Sequence, residues 1–83
     1  MYEIKFEKKA LEELSKLEQD IKERIWNKLQ ACKGNPFHFL EHLEDIKGYK
    51  LRVGDYRIIV DIDKTSKIIW VLKVGHRKKV YED

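Results

Sequence analysis

The sequence has little of several residues whose scarcity excludes whole classes of protein. Its 83 residues include one cysteine, Cys32, and one proline, Pro36. A single cysteine excludes an intrachain disulfide and a CxxC metal knuckle, and it suits a reducing cytoplasm. The sequence has no run of about 18 apolar residues, so nothing in it predicts a membrane-spanning helix. Residues 1–5 also lack the apolar stretch of a secretory signal.

What is present is typical of one small globular domain spanning residues 1–83. Hydrophobic residues make up 42% of the chain and charged residues 40%, with a net charge of +3. Residues 1–46 hold 8 basic and 10 acidic residues, whereas residues 47–83 hold 10 basic and 5 acidic residues. A basic C-terminal half indicates an anionic partner, either nucleic acid or an acidic protein segment, or simply a solvated surface.

The first third of the chain reads as a strand followed by a helical hairpin. Apolar and charged residues alternate from Tyr2 to Phe6, which predicts a short strand. A helical stripe then follows at Ala10, Leu11, Leu14 and Leu17. Asp20 is the predicted N-cap of a second helix, with Glu23 completing a capping box. The buried stripe of this helix comprises Ile21, Ile25, Leu29 and Cys32. The helix is predicted to end at Lys33-Gly34-Asn35-Pro36.

Residues 37–46 predict a loop with one helical turn, in which Phe37, Phe39, Leu40, Leu43 and Ile46 must pack. Strand periodicity returns after Gly48. Residues 49–53 and 56–62 then alternate around Gly54-Asp55, a two-residue hairpin turn of the glycine-first kind. A turn at residues 63–66 leads to a last strand from Ile68 to Arg77. The predicted fold is α+β, with a three-stranded antiparallel meander and the helices packed on one face of the sheet.

Alternation assigns the side chains of the meander to its two faces. One set should face the helices: Tyr49, Leu51, Val53, Tyr56, Ile58, Val60, Ile62, Ile68, Trp70, Leu72 and Val74. The other set should lie on the open face: Lys50, Arg52, Arg57, Lys73 and Arg77, together with Ile59, Ile69 and Val71. Cations on adjacent strands repel each other unless an anion lies among them. The open face is therefore the predicted binding surface.

Two segments of this region resemble the RelE/ParE superfamily of bacterial and archaeal toxins. They are Leu51-Arg52-Val53-Gly54-Asp55-Tyr56-Arg57-Ile58-Ile59 and Val74-Gly75-His76-Arg77, followed by Tyr81. The resemblance covers nearly the whole chain and implies a RelE-like, microbial-ribonuclease-like fold. In the RelE branch it also implies a toxin that enters the ribosomal A site and cuts messenger RNA without a metal or cofactor. The implied partners are a RelB-like antitoxin, the ribosome and mRNA, in the cytoplasm.

The resemblance also implies a basic catalytic set. By position this set comprises Lys50, Arg52, Arg57, Arg77 and Tyr81. Arg52 stands where the best-known relatives have lysine, and an arginine can clamp phosphate but is a poor base.

Metal-free RNA cleavage uses the substrate 2′-hydroxyl as the nucleophile, and it needs a base, cations and an acid. Lys50 is the candidate base, since the charges of Arg52 and Arg57 favour its neutral form. Arg57 would hold the phosphate, Arg77 would stabilise the leaving group and pass on a proton, and Tyr81 would stack on a base. Such a site should be slow unless the ribosome positions the message.

The histidines are not expected to take part. His76 has the parity of Val74, toward the helices, although a twist at the strand end could bring it into the site. His38 and His42 have the i, i+4 spacing of a metal pair, but no third ligand is in view.

Two other functions stay open at this point. A ParE-like toxin of the same fold would act on DNA gyrase and would not need the nuclease cations. A catalytically inactive module would use the basic face to hold an acidic antitoxin segment.

Overall fold

The computed structural model of the chain describes residues 1–43 and 48–80. Ile46 and Tyr81, for which the sequence makes predictions, lie outside these ranges. The elements are β1 (Glu3–Phe6), α1 (Lys8–Ser15), α2 (Gln19–Cys32), α3 (Pro36–Phe39), β2 (Glu41–His42), β3 (Tyr49–Val53), β4 (Tyr56–Asp63) and β5 (Ile68–His76). None of the helices in this part of the chain is long and apolar enough to span a membrane.

The strands form one sheet in the order β1-β5-β4-β3-β2. β3, β4 and β5 form the predicted antiparallel meander, and Gly54 adopts a φ of +57° in the two-residue turn between β3 and β4. β1 adds to the meander in parallel beside β5, and the short β2 adds antiparallel beside β3. The predicted α+β fold is confirmed.

The helical hairpin forms, but α2 begins earlier than the sequence suggests. Glu18 has an extended backbone and occupies the N-cap position without a side-chain cap, while Asp20 lies in the first turn. The prediction that Asp20 is the N-cap is therefore wrong, because the chain turns two residues sooner. Gln19 Nε2 instead donates to Glu23 Oε1, one turn further along the helix, at 3.3 Å.

The main core lies between the helices and one face of the sheet. Its buried residues come from both layers and are Ala10, Ile25, Leu29, Cys32, Leu51, Val53, Ile58, Val60, Ile69, Val71 and Val74. Burial of this apolar surface is the main stabilisation that a chain of this length can gain.

A β-bulge in β5 reverses the predicted facing of half of that strand. Ile59 pairs with Lys73 but Val60 pairs with Val71, so Leu72 is an extra residue in β5. One extra residue exchanges the two faces for every residue beyond it. Ile69 and Val71 are fully buried in the core, and the prediction that they lie on the open face is wrong. Trp70 pairs with Asp61 on the open face instead of facing the helices.

A second, smaller cluster covers part of the open face. It contains Leu43, Ile59 and Val80, all buried. Val80 reaches this position because the chain turns after β5, where the backbone N–H groups of Lys79 and Val80 both donate to His76 O. Ile59 is thus on the predicted face, but the chain itself covers it.

Candidate functional site

The open face carries its cations in two rows that run across the strands. One row is Lys50, Ile59 and Lys73, and the other is Arg52, Arg57 and Gly75. Arg52 and Arg57 are paired directly across β3 and β4. Side chains directly opposite each other lie close together, so two like charges here destabilise the sheet locally. Strand alternation predicted this juxtaposition correctly for all four cations.

Glu41 is the residue of this site that sequence reasoning missed. Its carboxylate lies between two of the cations, with Oε2 at 3.5 Å from Lys50 Nζ and Oε1 at 3.7 Å from Arg52 Nη1. β2 places it there, since Glu41 pairs with Lys50 across the sheet. A two-residue strand leaves no alternation in the sequence, so no pattern could have placed Glu41 beside the cations.

Arg57 is held more rigidly than a surface arginine. The residue is 9% exposed, and its Nη1 donates to Gly54 O at 2.8 Å and to Tyr56 O at 2.9 Å. The first carbonyl belongs to the turn between β3 and β4, and the second to the first residue of β4. The guanidinium therefore keeps a fixed position, as a preorganised anion site requires.

Arg77 directly follows β5 and reaches the same turn. Its backbone N–H donates to Asp55 O at 2.7 Å, and its Nη1 lies 3.9 Å from Asp55 Oδ1. Its side chain is 54% exposed. Arg57 and Arg77 thus contact neighbouring residues of one turn, which brings together two cations that are far apart in the sequence.

The histidines have structural contacts. His76 pairs with Tyr56, and the two rings meet edge to face at 5.8 Å. Its Nδ1 accepts a hydrogen bond of 3.2 Å from the Lys78 backbone, so it helps to form the turn after β5. His42 packs edge to face on Tyr49. Within residues 1–43 and 48–80, no three metal-ligating side chains come together.

The arrangement can bind a phosphate and move a proton near it. Lys50, Arg52, Arg57 and Arg77 supply positive charge, and Arg57 supplies a fixed guanidinium. Lys50 and Glu41 place an ammonium and a carboxylate side by side among these cations. Such a combination suits reactions in which negative charge develops on phosphate oxygens.

Comparison with known proteins finds relatives along nearly the whole chain. The family model for the ParE toxin of the type II toxin–antitoxin system parDE matches residues 4–81. A RelE-like toxin protein of Escherichia coli is 33% identical over 82 residues, covering 94% of this chain and 85% of that protein.

Solved toxin–antitoxin complexes share the fold. The archaeal RelE–RelB complex from Pyrococcus horikoshii contains a chain that is 26% identical, with a TM-score of 0.79, covering 95% of this chain and 98% of that one. The RelBE2 complex of Mycobacterium tuberculosis contains a chain with a TM-score of 0.84 at 24% identity, covering 92% of this chain and 98% of that one. With a family match along nearly its entire length, the chain belongs to the RelE/ParE superfamily of toxins of type II toxin–antitoxin systems.

Proposed function

We propose that this toxin is a ribosome-dependent endoribonuclease that cuts messenger RNA in the A site. The observation that carries the proposal is the pair of cation rows on the open face, with Arg57 fixed against the turn between β3 and β4. A toxin that acted by binding alone would not need a buried, preoriented guanidinium beside exposed cations.

The cleavage we propose begins at the substrate 2′-hydroxyl. The 2′-oxygen bonds to the phosphorus and gives its proton to Lys50 or Glu41, and the bond to the 5′-oxygen then breaks. Arg57 and Arg52 hold the charged phosphate, and Arg77 stabilises the leaving oxygen, which takes its proton from the protonated base or from water. Tyr81 is proposed to stack on a base of the message. The products are a 2′,3′-cyclic phosphate and a 5′-hydroxyl.

The ribosome enters this mechanism because the residues of the site that the structure describes include no strong acid–base pair. Fixing the message in a reactive geometry converts a rare encounter into an intramolecular step, worth about 7–11 kcal/mol in favourable cases. Cleavage should therefore depend on the ribosome for positioning.

The test is a cell-free translation reaction with toe-printing of the message. The wild type should stop translation and cut in the A site, and Arg77→Ala should abolish both while its melting temperature is unchanged. Lys16→Ala removes an exposed cation from the end of α1 and serves as the control. An Arg77→Ala protein that still cuts at the wild-type rate would remove Arg77 from the mechanism.

The same assay separates the two candidate bases. Glu41→Gln keeps the shape of the side chain but cannot accept a proton at neutral pH, whereas Lys50→Gln removes the ammonium. Loss of cleavage in Lys50→Gln, with activity retained in Glu41→Gln, assigns the base to Lys50. The opposite pattern assigns it to Glu41.

We further propose that an acidic, RelB-like antitoxin covers the open face. The archaeal and mycobacterial chains of this fold are described in complexes with their antitoxins. An amphipathic segment could supply carboxylates for the cations and apolar contacts for Trp70, folding as it binds. A wrapped interface should exceed about 1,600 Å². A structure of the complex that leaves the open face bare would instead require inhibition by size alone.

A gyrase-directed toxin is the second candidate, and the match to the ParE family model favours it. It makes a different prediction in the same experiment. Such a toxin would leave translation intact and would inhibit supercoiling by purified gyrase. A module with no activity would do neither.

A further inference from the structure

A second cationic surface lies on the helix side of the turn between β3 and β4. It is a groove of about 450 Å³ between α2 and the edge of β3, lined by Arg24, Asn27, Lys28, Ala31, Phe39, Arg52, Val53 and Gly54. Three of these residues are cations and none is acidic. Among the described residues, no carboxylate lies within 4.0 Å of the Arg24 or Lys28 side-chain nitrogens, whereas Arg52 is paired with Glu41.

The two α2 cations are oriented by their contacts. A Cβ atom built on Gly54 would lie 2.9 Å from Arg24 Nη2, so the guanidinium packs directly over this glycine. Arg57 contacts Gly54 as well, through the carbonyl. Lys28 Nζ lies 5.7 Å from the centre of the Phe39 ring, one turn further along α2.

Arg52 connects this groove to the open face. It pairs with Arg57 across the strands and also lines the groove. β2 pairs with Tyr49 and Lys50 and goes no further along β3, so it does not separate the two surfaces at Arg52. The cations therefore continue from the open face around the edge of the sheet to α2.

We propose that this groove binds the phosphate backbone of the RNA strand beyond the cleavage site, through Arg24 and Lys28. The inference rests on the proposed function, because the RNA in the groove would be the same message strand that is cut on the open face. That strand would pass from the open face into the groove at Arg52. A chain of phosphates needs successive cations along its path, and a groove with an aromatic side chain and apolar floor suits sugars and bases between them. The position next to the site proposed for RNA favours RNA over an acidic peptide.

The experiment measures binding of single-stranded RNA by fluorescence anisotropy, using a trinucleotide and a strand of about 12 nucleotides, a length within the range of single-strand sites. Both carry a 2′-O-methyl group at each position, so that the 2′-oxygen cannot attack and the toxin cannot cut them. The test variant is Arg24→Gln with Lys28→Gln. The control is Lys9→Gln with Lys16→Gln, which removes the same charge from α1 and its C-cap, on the helix that packs on β5. Thermal melting confirms that both variants are folded.

The test variant should bind the long strand about 10-fold more weakly than the control does and should bind the trinucleotide equally well. A plot of the logarithm of its association constant against the logarithm of the salt concentration should have a slope that is smaller in magnitude by about 1.4. This is the change expected for two lost phosphate contacts on a single strand. Equal affinities of the test and control variants for the long strand would overturn the proposal. An equal loss of affinity for an oligoglutamate would assign the groove to an acidic partner instead.

The outcome is separable from that of the proposed function. If binding of the long strand depends on Arg24 and Lys28 but no message is cut on the ribosome, the RNA-binding role of the groove is supported and the nuclease assignment fails. If ribosomes show cleavage and the test variant matches the control, the groove assignment alone fails.

Discussion

At the scale of single residues, Arg57 links the stability of the toxin to its proposed chemistry. Its Nη1 donates to the carbonyls of Gly54, in the turn between β3 and β4, and of Tyr56, at the start of β4, and the residue is 9% exposed. Arg57→Ala should lower the free energy of unfolding by about 1–3 kcal/mol, because a buried, charge-assisted hydrogen-bonding group is lost. Urea unfolding measures this directly.

Arg52→Ala is the matched control for that change. It removes the same charge from the neighbouring strand, but its side chain is 61% exposed. Its effect on stability should stay within about 0.5 kcal/mol. Equal losses in the two variants would show that Arg57 contributes charge and not structure.

Cys32 makes a second prediction at this scale. Burial raises the pKa of its thiol, and the charge of Lys28 opposes that shift in part. The thiolate is the reactive form, and the side chain is 0% exposed. Cys32 should therefore react with Ellman's reagent far more slowly in the folded protein than in denaturant, and the difference should persist to a pH of about 9. Equal rates would indicate that the thiol is accessible in the native state.

At the scale of elements, the bulge at Leu72 can be tested by comparing neighbouring residues. Ile69→Ala should lower the free energy of unfolding by about 2–4 kcal/mol, because Ile69 is fully buried. Ile68→Ala changes the same kind of side chain at a half-buried position and should cost about 1 kcal/mol. The reverse order would mean that the strand has no bulge and follows simple alternation.

The bulge also marks the limit of what the sequence predicts. Alternation placed the cations of β3 and β4 correctly, because those strands pair without interruption. It failed in the first half of β5, since an inserted residue changes parity and leaves no trace in a run such as Ile-Ile-Trp-Val-Leu. The N-cap at Glu18 and the strand β2 were missed for a related reason, because tertiary packing and not local pattern decides where a helix begins and whether a two-residue strand forms.

The sequence predicted which cations form the candidate site, but it did not predict the residues that surround and fix them. Lys50, Arg52, Arg57 and Arg77 came from parity and from family resemblance. The burial of Arg57 and the position of Glu41 depend on a turn and on a two-residue strand, whose geometry follows from contacts distant in the sequence. The roles of all these residues in catalysis, and that of Tyr81, stay predictions.

At the scale of the whole molecule, the net charge of +3 is small, but Lys50, Arg52, Arg57 and Lys73 lie together on the open face. The toxin should bind single-stranded RNA with an affinity that falls steeply as salt rises, since each phosphate contact releases a counterion. Filter binding over a salt series measures the slope. Without ribosomes the same RNA should be cut slowly at most. Efficient, sequence-specific cutting of purified RNA would contradict the positioning role of the ribosome.

The parallel pairing of β1 with β5 has a consequence for how the toxin is made. Glu3 to Phe6 leave the ribosome early, yet their partners are Ile68 to Val71. Contacts so distant in the chain form late, because the loop between them must close first. A chain interrupted before Ile68 leaves β1 without a partner, exposes an edge of β4 and has no Arg77. We therefore expect partial copies to lack both the complete sheet and the proposed site until synthesis has passed through β5.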